Sequence, residues 1–196
     1  MKIKHIAGAM ALGIVLAGQA SAATFEGAAG AASNLVTNYS AADLLSFDID
    51  LAQLSSVTLN FRVEASDLVS SQLSFSSLVR NLSGQGLGSI HVLLHGATFA
   101  SPPSSITTDG FVAVSGSGAS STAAWASFSP AWTSELYIGN PLQTPGATDW
   151  TLSLAGRQVG DAFSVTVAVP EPETYAMVLG GLGVLGLMAR RRRQGS

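Results

Sequence analysis

The sequence predicts an all-β domain, an antiparallel two-sheet sandwich of jelly-roll type, flanked by an N-terminal signal helix and a single C-terminal transmembrane helix. Apolar and polar residues alternate over many short segments, as in strands that are buried on one face. Turn-rich stretches of glycine, serine and proline separate these segments, and a helical period is scarce. Uninterrupted apolar runs occur only near the two ends of the chain.

The N-terminus has the three parts of a secretory signal peptide. A basic start precedes an apolar stretch from Ile6 to Ala17, and the small residues Ala20 and Ala22 follow. We expect cleavage after Ala22, with cleavage after Ala23 as the near alternative. A permanent N-terminal anchor is less favoured, because the apolar stretch is short and ends in small residues.

The exported part, residues 23–169, is predicted to be one domain held together by packing alone. The chain contains no cysteine, which excludes disulfides and thiol chemistry. Between Thr24 and Val169, three arginines against ten carboxylates give a net charge of −7, and there is no lysine. Nucleic acids and anionic membrane surfaces attract the opposite charge, so neither is an expected partner.

Strands are predicted wherever apolar residues occupy every second position. The clearest segments are 47–51, 57–63, 150–154 and 163–167, and weaker ones are 89–99, 110–114, 122–128 and 135–138. Residues 65–80 are open to two interpretations, a turn or short helix, or a strand over 72–79. The stretch rich in glycine, serine and alanine at 115–124 is predicted to be a long loop.

The C-terminal segment, residues 170–196, combines three elements with distinct physical roles. Pro170, Glu171 and Pro172 form an extended motif, because proline fixes its backbone angle and lacks an amide donor. An uncharged apolar run from Tyr175 to Ala189 is about 22 Å long as a helix, a short span for a hydrocarbon core of about 30 Å. Four consecutive arginines follow this run: Arg190, Arg191, Arg192 and Arg193. Positive charge beside a membrane segment resists translocation, so this cluster is predicted to act as a stop that keeps this end of the chain in the cytoplasm.

This order of motif, apolar segment and arginine cluster resembles the PEP-CTERM protein-sorting signal of Gram-negative bacteria, over roughly Val169 to Gln194. The resemblance implies that an exosortase, a multi-pass membrane enzyme, recognises and processes the tail. It also implies an inner-membrane-anchored intermediate, followed by residence at the cell surface or outside the cell with exopolysaccharide or biofilm material. A plain C-terminal anchor is the alternative, but the short span suits a transient hold better.

The sequence predicts no catalytic set, and therefore no enzyme, and no metal site or cofactor. No Gly-x-Ser-x-Gly elbow or glycosidase-like carboxylate pair is present. His91 and His95 share one strand face about 13 Å apart, too far for one metal ion. Asp43, Asp48 and Asp50 leave calcium as an alternative to a solvated acidic face, although no Asp-x-Asp-x-Asp-Gly loop exists.

Large aromatic residues are concentrated in the second half of the domain. They are Trp125, Phe128, Trp132, Tyr137 and Trp150. Trp150 alternates with a threonine and is expected in the core, whereas Trp132 lies outside a clean strand pattern and is expected at the surface. Trp125 and Trp132 are the candidate contacts for an extracellular polysaccharide, because exposed aromatic faces stack on sugar rings.

Two functions follow from these observations. The first is a structural protein of the cell surface or extracellular matrix that is exported and processed through its tail. The alternative is a carbohydrate-binding module or adhesin built on the same sandwich.

Overall fold

The computed structural model describes residues 23–103, 106–170 and Leu182, and within them thirteen strands form a two-layer sandwich. The strands are β1 Thr24–Ala29, β2 Leu35–Asn38, β3 Leu44–Leu51, β4 Val57–Arg62, β5 Gln72–Asn81, β6 Ser89–His95, β7 Thr98–Phe99, β8 Thr107–Thr108, β9 Ala113–Ala119, β10 Ala123–Ser129, β11 Glu135–Ile138, β12 Trp150–Ser153 and β13 Ala162–Ala168. The predicted all-β class is confirmed.

Sheet A contains six strands in the order β1-β4-β13-β6-β10-β9. Every neighbouring pair is antiparallel. β13, the last strand in the chain, lies inside the sheet between β4 and β6. The segment that leaves the domain therefore starts from an interior strand.

Sheet B has the order β2-β3-β5-β11-β8, and the short strands β12 and β7 extend it beside the first half of β5. β3 and β5 run parallel, from the pair Leu44 and Ser74 to the pair Leu51 and Asn81. This pair corrects the prediction of a purely antiparallel sandwich and departs from a jelly roll. Parallel neighbours need a long crossover, and here the chain passes through sheet A as β4 between them.

The core lies between the two sheets and is built from alternate residues of each strand. In β3, every second residue from Leu45 to Leu51 is fully buried. Phe47 of sheet B meets Phe61 of sheet A with ring centroids 5.7 Å apart, and Phe61 stacks on Phe163 at 4.9 Å. Trp150 is 1% exposed, which confirms its predicted place in the core.

Most of the predicted strands are observed. The four clearest segments correspond to β3, β4, β12 and β13, and the weaker segments 89–99, 122–128 and 135–138 contain β6 with β7, β10 and β11. The segment 72–79 belongs to β5, so the strand interpretation is the correct one there.

The predicted loop over 115–124 is wrong, because most of it is strand β9 and the start of β10. The strand predicted over 110–114 is also misplaced, since β9 begins only at Ala113. β9 is the edge of sheet A and lacks large alternating side chains. It is covered instead by the indole of Trp125, which lies over Gly116 and Gly118.

The two predicted terminal helices lie outside the described residues, apart from Leu182. These are the signal helix over 1–22 and the transmembrane helix over 175–189. Within the part of the chain that the structure describes, no helix has the length and apolar character needed to cross a membrane.

Candidate functional site

The predicted sorting motif starts directly at the end of β13. Ala168 is the last residue of this strand and pairs with His91 of β6. Val169, which follows, is 5% exposed and belongs to the core. Pro170 is half-buried. No flexible linker therefore separates the sandwich from the motif.

Pro170 lines a shallow pocket of about 210 Å³ at this end of the sandwich. Leu54, Leu87 and Val169 supply its large apolar side chains. Proline has no amide hydrogen to continue the strand ladder, so β13 ends where the motif begins.

Several predicted site residues lie outside the described residues. They are Ala20 and Ala22 of the signal cleavage site, Glu171 and Pro172 of the motif, and the stop residues Arg190, Arg191, Arg192 and Arg193. Ala23, immediately after the predicted cleavage site, is described and is 4% exposed.

Trp125 lies on the outer face of sheet A with its indole spread over the edge strand β9. A Cβ atom added at Gly118 would lie 2.8 Å from Trp125 Nε1, and one added at Gly116 would lie 3.5 Å from Cζ3. Both glycines thus face the indole and leave room for it, while 39% of Trp125 remains exposed. His91 is its cross-strand partner on β6. The result is an aromatic side chain packed against a glycine-lined edge strand and partly open to solvent.

Trp132 is more exposed, at 65%, which agrees with its predicted surface position. It lies in the connection between β10 and β11, and a second exposed aromatic residue, Phe111, lies in the connection between β8 and β9. The Ser134 hydroxyl donates to Asp109 Oδ2 at 3.0 Å, and this bond joins the two segments. Phe111 was not predicted as an exposed aromatic residue, although the Asp109-Gly110 pair before it is typical of a turn at the surface.

The two tryptophans form separate surfaces. Trp125 lies within β10, whereas Trp132 follows the end of that strand. Among the described side chains, no ring contact joins Trp125 to Trp132.

The acidic face of β3 is partly neutralised by an arginine from β5. Arg80 donates to Asp50 and, at 3.4 Å, to Asp48 Oδ2. The hydrogen bond with Asp50 raises the pKa of Arg80 above its ordinary value. No group of three or more potential ligands in the described ranges is placed to hold a metal ion.

His91 and His95 occupy the positions expected of strand residues. Ile90, Val92 and Leu94 of β6 point into the core, and the histidines alternate with them toward the outer face. This arrangement agrees with the predicted sharing of one strand face.

Comparison with known proteins identifies the tail. Residues 168–193 match the family model of the PEP-CTERM protein-sorting motif, which begins at the last residue of β13. No curated protein and no solved structure matches the chain. The match covers the sorting signal and not the sandwich.

Proposed function

We propose that the sandwich of this protein is a structural component of the extracellular matrix. The chain carries a PEP-CTERM protein-sorting motif, which indicates an exported protein that an exosortase processes at the membrane before release to the cell surface. The observation that carries the proposal is the motif itself, joined without a linker to an interior strand of a folded domain. The proposal assigns the domain no catalytic step.

Each part of the tail has a role in this proposal. The recognition motif consists of Pro170, Glu171 and Pro172. The run from Tyr175 to Ala189 holds the protein transiently in the inner membrane of a Gram-negative bacterium. The arginines from Arg190 to Arg193 stop translocation. The acidic domain, with a net charge of −7 over residues 24–169, suits an extracellular material better than an anionic membrane surface.

Replacement of the motif tests the sorting role. We expect a variant with Pro170→Ala, Glu171→Ala and Pro172→Ala to accumulate in the inner membrane, as measured by cell fractionation and by mass spectrometry of the mature C-terminus. The control is Pro141→Ala with Pro145→Ala, which also removes two prolines but in a loop far along the chain from the motif. Unchanged surface delivery of the motif variant would contradict the role.

A second candidate function, binding of an extracellular polysaccharide, is favoured by the exposure of Trp125 and Trp132. The indole of Trp125 packs on glycines of the edge strand and leaves part of its surface free. Since the domain is acidic, an uncharged polymer is favoured over an anionic one. Calcium is not needed for this mode of contact, because stacking on an aromatic ring requires no ion.

Pull-down on an insoluble neutral polysaccharide such as cellulose or chitin, with alginate as the anionic comparison, tests this second function. We expect retention on one neutral polymer and at least a tenfold loss in Trp125→Ala or Trp132→Ala, the size of one lost stacking contact of about 1.4 kcal/mol. The control is Tyr39→Ala, which removes another exposed aromatic ring. Equal retention of all three variants, or none by the native chain, would exclude these tryptophans as sugar contacts.

A further inference from the structure

Asp67 is a buried carboxylate with an unused oxygen. The residue is 1% exposed, and its Oδ2 accepts a hydrogen bond from the Glu64 amide at 2.6 Å. Its Oδ1 is also buried and accepts no hydrogen bond from any described residue. Leaving such an oxygen unpaired is costly, so an unpaired one calls for an explanation. Burial raises the pKa of Asp67 above its ordinary value.

The first residue after the predicted signal cleavage site lies beside this carboxylate. Thr24 of β1 pairs with Arg62 of β4, so Ala23 continues the ladder toward the turn that contains Glu64 and Asp67. The Thr24 hydroxyl donates to Glu64 Oε1 at 2.6 Å, which fixes the start of β1 at that turn. Ala23 is 4% exposed, and its backbone amide interacts with the Asp67 carboxyl group and lowers its pKa, against the larger effect of burial.

Signal cleavage changes the chemistry of the Ala23 nitrogen. Hydrolysis of the bond between Ala22 and Ala23 leaves a carboxyl group on Ala22 and an amino group on Ala23. The amide offers one neutral N–H donor, whereas the amine, with an ordinary pKa of about 7.7–8.0, is a cation with three donors at neutral pH. A buried carboxylate with a free oxygen is the complement of that cation.

We propose that Asp67 is the binding site for the α-ammonium group of Ala23, so that signal cleavage adds the missing partner and completes the fold of the mature protein. The negative charges of Glu64 and Asp43, both near enough to raise the pKa of Asp67, add to the attraction for a cation. Arg62, the nearby arginine, is paired with Glu26 at 2.7 Å. The proposal depends on export and not on the matrix or sugar-binding roles.

The site also discriminates between the two cleavage positions that the sequence leaves open. Cleavage after Ala22 places the new ammonium at the buried carboxylate. Cleavage after Ala23 would place it on Thr24, an exposed residue of β1, and would remove the residue whose backbone amide interacts with Asp67. N-terminal sequencing of the exported protein is the first test: a chain starting at Ala23 is expected, and one starting at Thr24 would overturn the proposal.

A comparison of two chains tests the ion pair itself. One starts at Ala23, the other keeps Ser21 and Ala22 before it, and both extend to Ser196 in detergent. We expect Asp67→Asn to lower the folding equilibrium constant about tenfold more in the first chain than in the second, the size of one charge-assisted hydrogen bond. Urea unfolding measures this difference, and equal effects in both chains would overturn the proposal.

Asp161→Asn is the matched control. Its carboxylate accepts the amide of a residue three positions earlier, Gln158, at 2.9 Å, as Asp67 does with Glu64. We expect this variant to affect both chains equally, because it lies outside the proposed site. A chain-length dependence as large as that of Asp67→Asn would contradict the assignment.

A titration of the unmodified chain keeps the proposal testable if Asp67→Asn fails to fold. With carbon-13 in Ala23, NMR is expected to report an α-amine pKa above the ordinary range of about 7.7–8.0. Such an amine stabilises the fold fully below its unfolded pKa, and the contribution is lost as pH rises through the folded pKa. An ordinary pKa for Ala23 would overturn the proposal.

Discussion

At the scale of single residues, the surface of this domain is shaped by a few specific contacts. The indole of Trp125 packs over Gly116 and Gly118, and the hydroxyl of Tyr137 donates a hydrogen bond to the Glu135 carboxylate. Each contact is local enough to be changed without unfolding the sandwich. Two predictions follow at this scale.

Tyr137 is expected to titrate at unusually high pH. Its hydroxyl donates to Glu135 Oε1 at 2.7 Å, and this hydrogen bond, followed by burial and the charge of Glu135, raises the pKa of Tyr137 to about 12. Because the folded pKa exceeds the unfolded value of about 10, the stabilisation is full below pH 10 and is lost as pH rises toward 12. We expect Glu135→Gln to lower the pKa of Tyr137, measured by phenolate absorbance. An unchanged titration would show that burial dominates instead.

Gly118 and Gly116 differ in the space they leave beside Trp125. A Cβ at Gly118 would lie 2.8 Å from the indole nitrogen, too close for an ordinary contact, whereas a Cβ at Gly116 would lie at 3.5 Å. We therefore expect Gly118→Ala to displace the indole and change its fluorescence and N–H chemical shift, at a cost of about 1 kcal/mol. Gly116→Ala is the control and is expected to be tolerated. Similar spectra for both variants would contradict this packing.

At the scale of elements, β4 joins the two sheets through one aromatic side chain. Phe61 contacts Phe47 of β3 and stacks on Phe163 of β13. β4 also pairs with both β1 and β13, so it connects the N-terminal and C-terminal strands of the domain. The stability of the sandwich should therefore depend strongly on this strand.

Phe61→Ala tests the role of β4. The residue is fully buried, so we expect a loss of about 3–5 kcal/mol in the free energy of unfolding, from lost burial and the cavity left behind. Urea unfolding measures the change. Phe111→Ala is the control, because that phenylalanine is 90% exposed and its loss should cost little. Comparable losses for the two variants would contradict the observed core.

At the scale of the whole molecule, the domain and the sorting tail meet at the end of an interior strand. β13 pairs on both sides, with β4 and β6, and its residues Phe163, Val165 and Val167 are buried. The strand is thereby held by the fold up to Val169. Removal of the tail beyond that point should not disturb the sandwich.

Truncation at two positions tests this arrangement. A chain that ends at Pro170 is expected to unfold in urea within about 0.5 kcal/mol of the full-length protein, because it keeps all of β13 and the buried Val169. A chain that ends at Phe163 should fail to fold, since it loses the ladder and side chains of an interior strand. A large loss in the first truncation would show that the tail contributes to the fold.

The sequence by itself determined the all-β class, the buried face of most strands and the sorting tail. Alternation and apolar runs are local patterns, so a single segment such as Val57–Arg62 reveals them. Only the tertiary structure decided that β3 and β5 are parallel, and that the glycine-rich β9 is a strand. β1 escaped prediction because its alternation is interrupted by a bulge between Phe25 and Gly27.

The candidate sites divide in the same way. Trp132 was recognisable from its position between strand patterns, and the tail from its order of segments. The placement of Ala23 beside Asp67, and the hydrogen bond between Ser134 and Asp109, depend on pairing between residues far apart in the chain. Local periodicity carries no information on such pairing, because strand partners and direction are chosen when the two sheets close over a shared core.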